Sequence, residues 1–224
     1  GSLMAIKDGV AWTLLPFVEG GILGLDEDSV RSLGETQARM HLIPGADCFP
    51  KSYRMGFELF EEVISLSSRM GVSNPFVEML SSRIAETKLD FPSDLPMGVL
   101  HGDLFPDNVI GGGGGVSAIL DLEEAWIGPM AFDIAMSCVG FGWDGTVPVW
   151  SRWKALFDGY QSVRKLSQKE VDCLPFLHQF ATLCIASWRF WKHNLREPDE
   201  LLSNRYVEMV HRLSVEIDFS EVLG

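Results

Sequence analysis

The sequence predicts an α+β chain, mainly helical, with a short β-hairpin at its N-terminal end. Three observations lead there. Lys7-Asp8-Gly9 sits between apolar runs, and Asp-Gly in that setting is a strong hairpin signal. Several long segments carry apolar residues at helical spacing. From Pro129 onward that helical pattern dominates and no further strand is expected.

Taken in order, residues 2–17 read as two strands around the Lys7-Asp8-Gly9 turn, and residues 18–24 as a flexible exit. Residues 26–42 read as a helix. Acidic residues crowd its first turn, Val30, Leu33 and Met40 share a face, and Pro44 and Gly45 stop it. Two more helical patterns cover 53–71 and 75–89, with a loop at 90–98. A short strand opens the segment 99–110 and another closes it, and residues 116–120 form a third. Gly111 to Gly115 reads as the loose connection between two of these strands. No Lys-Ser/Thr and no helix follows it, which argues against a phosphate cradle. The remaining helices are expected at 130–142, 148–163, 168–194 and 198–216. Ser167 and Glu170 make a capping box for the third of these, and Pro175 either kinks it or marks its start.

With 224 residues the chain is long enough for one large domain or two small ones. A net charge of -13 argues against a broad phosphate-binding surface, so nucleic acid is not an expected partner. Cys48, Cys138, Cys173 and Cys184 are scattered with no Cys-x-x-Cys pair, which fits buried thiols in a reducing, cytoplasmic setting. No basic-then-apolar leader is present. The most apolar long stretch, 171–191, contains Asp172, His178, Gln179 and Arg189 and reads as a buried helix, not a membrane span. The chain opens Gly1-Ser2-Leu3 and not with Met, which reads either as a cloning scar or as a start inside a longer protein.

The chemistry concentrates in "HGDLFPDNVI" (101–110) and "AILDLEEA" (118–125). Phosphoryl transfer from ATP needs a carboxylate to orient the attacking hydroxyl and take its proton, oxygen ligands for magnesium, and an anchor for the phosphates. His101-Gly102-Asp103 followed by Asn108 has the H-x-D-x-x-x-x-N spacing of a kinase catalytic loop. Asp103 is then the base and Asn108 a magnesium ligand. Asp121, at the end of the next strand, is the second metal ligand, because a hairpin turning at 111–115 returns the chain to Asn108. Taken singly, each residue has a plainer role: an Asx turn, a packed histidine, a solvated acidic pair at Glu123-Glu124, a solvated turn residue at Asp107. In this order and spacing they favour the kinase-like reading.

The stretch "HGDLFPDNVI … ILDLEEAWIGPMAFDIAM" resembles the aminoglycoside phosphotransferase and choline kinase superfamily, which has a protein-kinase-like fold. "LLPFVEGG", "HGDLFPDNV" and the segment 157–191 are most similar to homoserine kinases of that type. The resemblance implies an ATP- and Mg²⁺-dependent kinase acting on a small-molecule alcohol, with homoserine as a candidate. It implies that Asp133 buttresses the catalytic loop through its backbone and that His101 orients it. It makes Pro16, Phe17 and Val18 a nucleotide-binding hinge, and divides the chain into a remnant N-lobe hairpin and hinge (1–20) and a helical C-lobe (21–224). Arg189 becomes a candidate for a substrate carboxylate, with a helix-surface role covering Trp188 or Trp191 equally open. Glu123 would suit a cationic group.

A kinase of this kind also needs a glycine-rich loop and a strand lysine before the hinge. Lys7 lies too close to Pro16 to be that lysine, so most of the N-lobe is expected to be absent and the chain alone weakly active or inactive. Two other readings remain open: a non-catalytic kinase-like protein that binds a ligand or partner, and a kinase for choline- or aminoglycoside-type substrates. A metal-dependent hydrolase built on His101, Asp103 and Asp121 ranks last, because no second ligand histidine lies near.

Overall fold

The computed structural model describes residues 4–13, 15–44 and 48–223. Residues 2 and 3 of the expected first strand, the Gly1-Ser2 start and the Gly45 helix stop lie outside the described residues.

The first hairpin pairs β1 (Ala5–Lys7) with β2 (Val10–Trp12) in an antiparallel sheet of their own, turning through Asp8 and Gly9, both at positive φ. Residues 15–20, without regular secondary structure, lead to β3 (Gly21–Ile22) and then α1 (Glu27–His41). Asp26 caps that helix, its side chain accepting from the Ser29 amide at 3.0 Å. After α2 (Phe57–Met70), closed by Gly71 in the left-handed region, Asn74 caps α3 (Pro75–Asp90). Next come β4 (Met97–Leu100), β5 (Val109–Gly112), β6 (Gly115–Ile119) and β7 (Trp126–Pro129). β3, β5 and β6 form one small antiparallel sheet, while β4 pairs with β7 in another. The connection from β5 to β6 turns at Gly113 and Gly114, φ 60° and 91°, the left-handed pair that a tight hairpin favours.

The rest is mostly helical: α4 (Met130–Phe141), α5 (Trp150–Val163), α6 (Gln168–Phe190), α7 (Arg205–Leu213) and a last turn, α8 (Ser220–Leu223). A small hairpin, β8 (Trp143–Asp144) with β9 (Val147–Pro148), interrupts the expected run of helices. β7 also departs from the sequence expectation. Its partner is β4, and a Trp-Ile-Gly-Pro segment carries little strand signal without that pairing. The capping box at Ser167 forms, and α6 runs through Pro175, so the proline does not mark its start. The helix then widens into a π-helical turn, Trp191–Arg196. The helix expected at 198–216 begins only at Arg205.

α4 is buried on every side, and Phe60, Leu100, Leu104, Phe132 and Trp153 pack into one continuous core around it. α1 lies against α5 at unusually close range. A Cβ on Gly34 would come within 2.1 Å of the Leu156 carbonyl oxygen, and one on Gly159 within 2.0 Å of that of Arg31. Only glycine lets these two backbones approach so closely. Of the four cysteines, Cys138 and Cys184 are buried, Cys173 half-buried and Cys48 exposed, all as free thiols. Among the described residues no helix is long and apolar enough to cross a membrane.

Candidate active site

The loop that leaves β4 is fixed from within and from below. His101 is fully buried. Its Nε2 lies 2.7 Å from the Leu120 carbonyl oxygen, and its Nδ1 accepts from the Asp103 amide at 3.2 Å. The pair of contacts selects the neutral ring with the proton on Nε2. Asn108 ends a short 3-10 turn, Pro106–Asn108, and its Nδ2 donates to the Asp103 carbonyl at 2.8 Å. That leaves Asn108 Oδ1 free to accept. The Leu120 amide in turn donates to the Asn108 carbonyl at 2.8 Å, and Val109 pairs with Ile119. The hairpin therefore brings Asn108 back beside Asp121.

Asp121 is exposed and has φ 58° and ψ 69°, the left-handed region. A non-glycine residue held there costs on the order of 1 kcal/mol or more, and such strain gathers at functional sites. Glu123 is also exposed, on the 3-10 turn Leu122–Glu124. Glu124 is gripped by Arg54, whose Nε donates at 3.1 Å and whose second nitrogen completes the fork.

Below the loop sits Asp133, fully buried on α4. Its Oδ1 accepts from the Gly102 amide at 2.8 Å, and its Oδ2 accepts from the His101 amide at 3.2 Å and from Gln37 Nε2 at 2.9 Å. His41 Nε2 lies 3.0 Å from Oδ2, and His41 Nδ1 is 2.8 Å from the Tyr160 hydroxyl. Burial alone would push the Asp133 carboxyl up. The bond and charge of His41, with the Gln37 bond, outweigh that and bring it down to about 2. Tyr53 adds one more tie, donating to the Gly102 carbonyl at 2.5 Å.

Asp103 behaves in the opposite way. Burial pushes its carboxyl up to about 6. Asp107, Glu124 and Asp121 add to the rise. A carboxylate poised near neutral pH is suited to accept a proton from an attacking hydroxyl.

Asp103 forms part of a hollow of about 170 Å³ that Met55, Phe105, Asp107, Ile185, Trp188, Arg189 and Arg205 complete. Arg189 is thus placed with Asp103, but its guanidinium is already engaged: Nη1 donates to Glu208 at 2.8 Å and to the Arg205 carbonyl at 3.1 Å. Glu123 does not line the hollow. Pro16 and Phe17 are exposed and Val18 half-buried, in the segment before β3. Gln37, His41, Tyr53 and Arg205 are the participants that sequence reasoning passes over. The first three lie sixty or so residues or fewer upstream of the loop and carry no motif. Arg205 follows a stretch that reads as mid-helix.

An oxygen pair such as Asn108 and Asp121 fits magnesium, which takes few protein ligands and completes its shell with phosphate and water. Asn108 Oδ1 is free and Asp121 is exposed, so both can serve. Among the described residues no group of three or more His, Cys, Asp or Glu could hold a metal.

The phosphotransferase enzyme family matches residues 5–166 of the chain. A homoserine kinase of Agrobacterium fabrum is 31% identical over 189 residues, covering 82% of this chain and 58% of that protein. The chain thus spans less than two thirds of the length of that curated relative. Among solved structures, a Plasmodium vivax ethanolamine kinase superposes with a TM-score of 0.72 at 14% identity, covering 98% of this chain and 68% of that one. A choline/ethanolamine kinase family protein from Mesorhizobium loti gives 0.66 at 16%, covering 98% and 75%. At these identities the structural likeness is one of fold.

Proposed function

Since the chain belongs to the phosphotransferase enzyme family, we propose that it carries the catalytic lobe of an ATP-dependent kinase for the hydroxyl of a small molecule, with homoserine the favoured acceptor. One observation carries this reading: Asn108 and Asp121 flank the two ends of one hairpin, Asn108 is bonded to the Asp103 backbone, and buried side chains brace the loop that carries Asp103 and Asn108.

In the proposed reaction the acceptor's hydroxyl oxygen attacks the terminal phosphorus of ATP. The bond from that phosphorus to the bridging oxygen breaks, and ADP leaves. Asp103 takes the hydroxyl proton and later returns it to water. His101 and Asp133 act through the backbone: they hold Asp103 in place and touch no reacting atom. Asn108 and Asp121 would hold magnesium, which when bound neutralises charge on the phosphates. Pro16, Phe17 and Val18 are proposed to flank the nucleotide base, since they enter β3 beside the hairpin that carries Asn108.

The β1–β2 hairpin is exposed along both strands, and Phe17 is 91% exposed. This supports the reading that further chain of a complete N-lobe packs there in the whole protein, and that the present chain turns over ATP weakly by itself. Choline is the less favoured acceptor, because the hollow beside Asp103 holds two arginines. The same exposure favours, as second reading, a kinase-like protein that binds without catalysis.

The test is twofold. Thermal shift with ATP and Mg²⁺ should raise the melting temperature of this chain, and by less in Asp121→Asn. ATP-dependent phosphorylation by the full-length protein should be greatest on L-homoserine in a panel with choline, ethanolamine and an aminoglycoside. Nucleotide binding without transfer to any hydroxyl would select the non-catalytic reading.

A further inference from the structure

The hollow beside Asp103 contains two charged side chains without partners. Arg205 is exposed, and no ion pair or side-chain hydrogen bond engages its guanidinium among the described residues. Asp107 is exposed and equally unengaged. Apart from Asp103 itself, the other charged side chain lining the hollow is engaged. Arg189 is tied to Glu208, which also takes Arg212 at 2.6 Å, so one carboxylate already sits between those two cations.

Arg205 is placed at a cost. It opens α7, where the helix dipole disfavours a positive side chain. The acidic residue of that first turn, Glu208, is already shared between Arg189 and Arg212. The remaining walls, Met55, Phe105, Ile185 and Trp188, are apolar. The hollow thus offers one free cation, one free anion, a proton acceptor at Asp103 and a short apolar lining. At about 170 Å³ it is smaller than the cavities of roughly 300 Å³ and above that enclose drug-sized ligands.

We infer that Arg205 and Asp107 are the residues that read the two charges of a zwitterionic acceptor: Arg205 its carboxylate and Asp107 its ammonium. The inference rests on the kinase reading above and deepens it. It gives Arg189 a positioning role. Through its bond to the Arg205 carbonyl and its pair with Glu208, Arg189 fixes the start of α7, and so the point from which Arg205 reaches into the hollow. It also explains how the site would turn away a simple cationic alcohol. Such a molecule satisfies Asp107 but leaves Arg205 unpaired and repelling it.

The two charges can be tested separately. Binding to the 224-residue chain is followed by NMR shift titration with three probes: L-homoserine, γ-hydroxybutyrate, which lacks the ammonium, and aminopropanol, which lacks the carboxylate. Arg205→Met should weaken homoserine and γ-hydroxybutyrate about tenfold or more, as expected for a lost charge-assisted contact, and leave aminopropanol equal or tighter, since a repelling charge is gone. Asp107→Asn should weaken homoserine and aminopropanol and spare γ-hydroxybutyrate. Arg205→Lys should restore part of the loss. Homoserine binding that ignores both substitutions overturns the assignment and leaves the kinase reading intact. So does an Arg205→Met variant that loses MgATP affinity but keeps homoserine, since that moves Arg205 to the phosphates. If none of the probes binds while MgATP still does, the zwitterion pocket is wrong. If MgATP binding is absent as well, the reading beneath it fails too.

Discussion

Residues 101–108 and residues 5–12 are two short stretches without α-helix, and the molecule treats them in opposite ways. The first is held from four directions. α4 supplies Asp133 beneath the His101 and Gly102 amides, α1 supplies Gln37 and His41 to hold Asp133, Tyr53 reaches the Gly102 carbonyl, and the end of β6 ties in through Leu120. The second is held by its own strand pairing, with every strand residue exposed and Ile6 and Trp12 at 71% and 61%. An isolated two-stranded hairpin is marginal in water. The contrast separates what this chain brings ready-made from what it leaves open. The loop that carries Asp103 is pre-organised by buried partners, while the apolar faces of the N-terminal hairpin are built but exposed.

Substitutions can break or sharpen that contrast. The largest effect is expected from Asp133→Ala. It strands Gln37, His41 and two backbone amides in the core, and should cost about 3–5 kcal/mol in urea denaturation. Amide exchange at His101 and Gly102 should speed up with it. A small loss would mean that the loop is held by something other than this carboxylate. Asp103→Asn should act on turnover alone. Phosphorylation by the full-length protein should fall about a hundredfold or more, with stability equal or slightly higher because a partly buried carboxylate is gone.

A third prediction concerns His178, away from both regions. It is buried beside Trp143 and Trp153, and its Nε2 has no hydrogen-bond partner. Burial first, and Arg212 second, push it down from 6.5 to about 3. A depressed histidine stabilises the fold fully above its unfolded value, and that stability is lost as pH falls from 6.5 toward 3. His178→Phe should flatten the stability profile across that window. Asp133, lowered from 3.8 to about 2, should leave a separate loss below pH 3.8. Trp12→Ser should do least, within about 0.5 kcal/mol in this chain. A larger destabilisation would show that the hairpin is anchored after all and would erase the contrast.

What was legible in the sequence was local. The capping box at Ser167, the Asp-Gly turn and the spacing from Asp103 to Asn108 each depend on a few adjacent residues, and the structure has these features in the expected places, while the expected connector at Gly111–Gly115 shrinks to Gly113–Gly114 because its outer glycines join the strands. What was missed depends on distance. β7 becomes a strand only by pairing with β4, and His41 reaches Asp133 across the core without any motif to announce it. Arg205 was hidden for a different reason. Residues 200–204 form turns where the sequence reads as helix from 198 onward, so the true start of α7 is blurred. Arg189, a candidate for a substrate carboxylate by family resemblance, does line the hollow, but only the side-chain geometry reveals that Glu208 already occupies it.

The glycine crossing of α1 and α5 extends the reach of the active site well beyond its contacts. α1 carries His41 and Gln37, and α5 carries Tyr160, which holds His41 from the other side. A single methyl at Gly34 or Gly159 has no room between the two backbones. It would have to pry the helices apart, tilting His41 and, through Asp133, the loop that carries Asp103. A screen for inactive variants should therefore return hits at these two glycines. Such lesions would look catalytic in an assay, yet arise where no substrate, metal or nucleotide is ever touched.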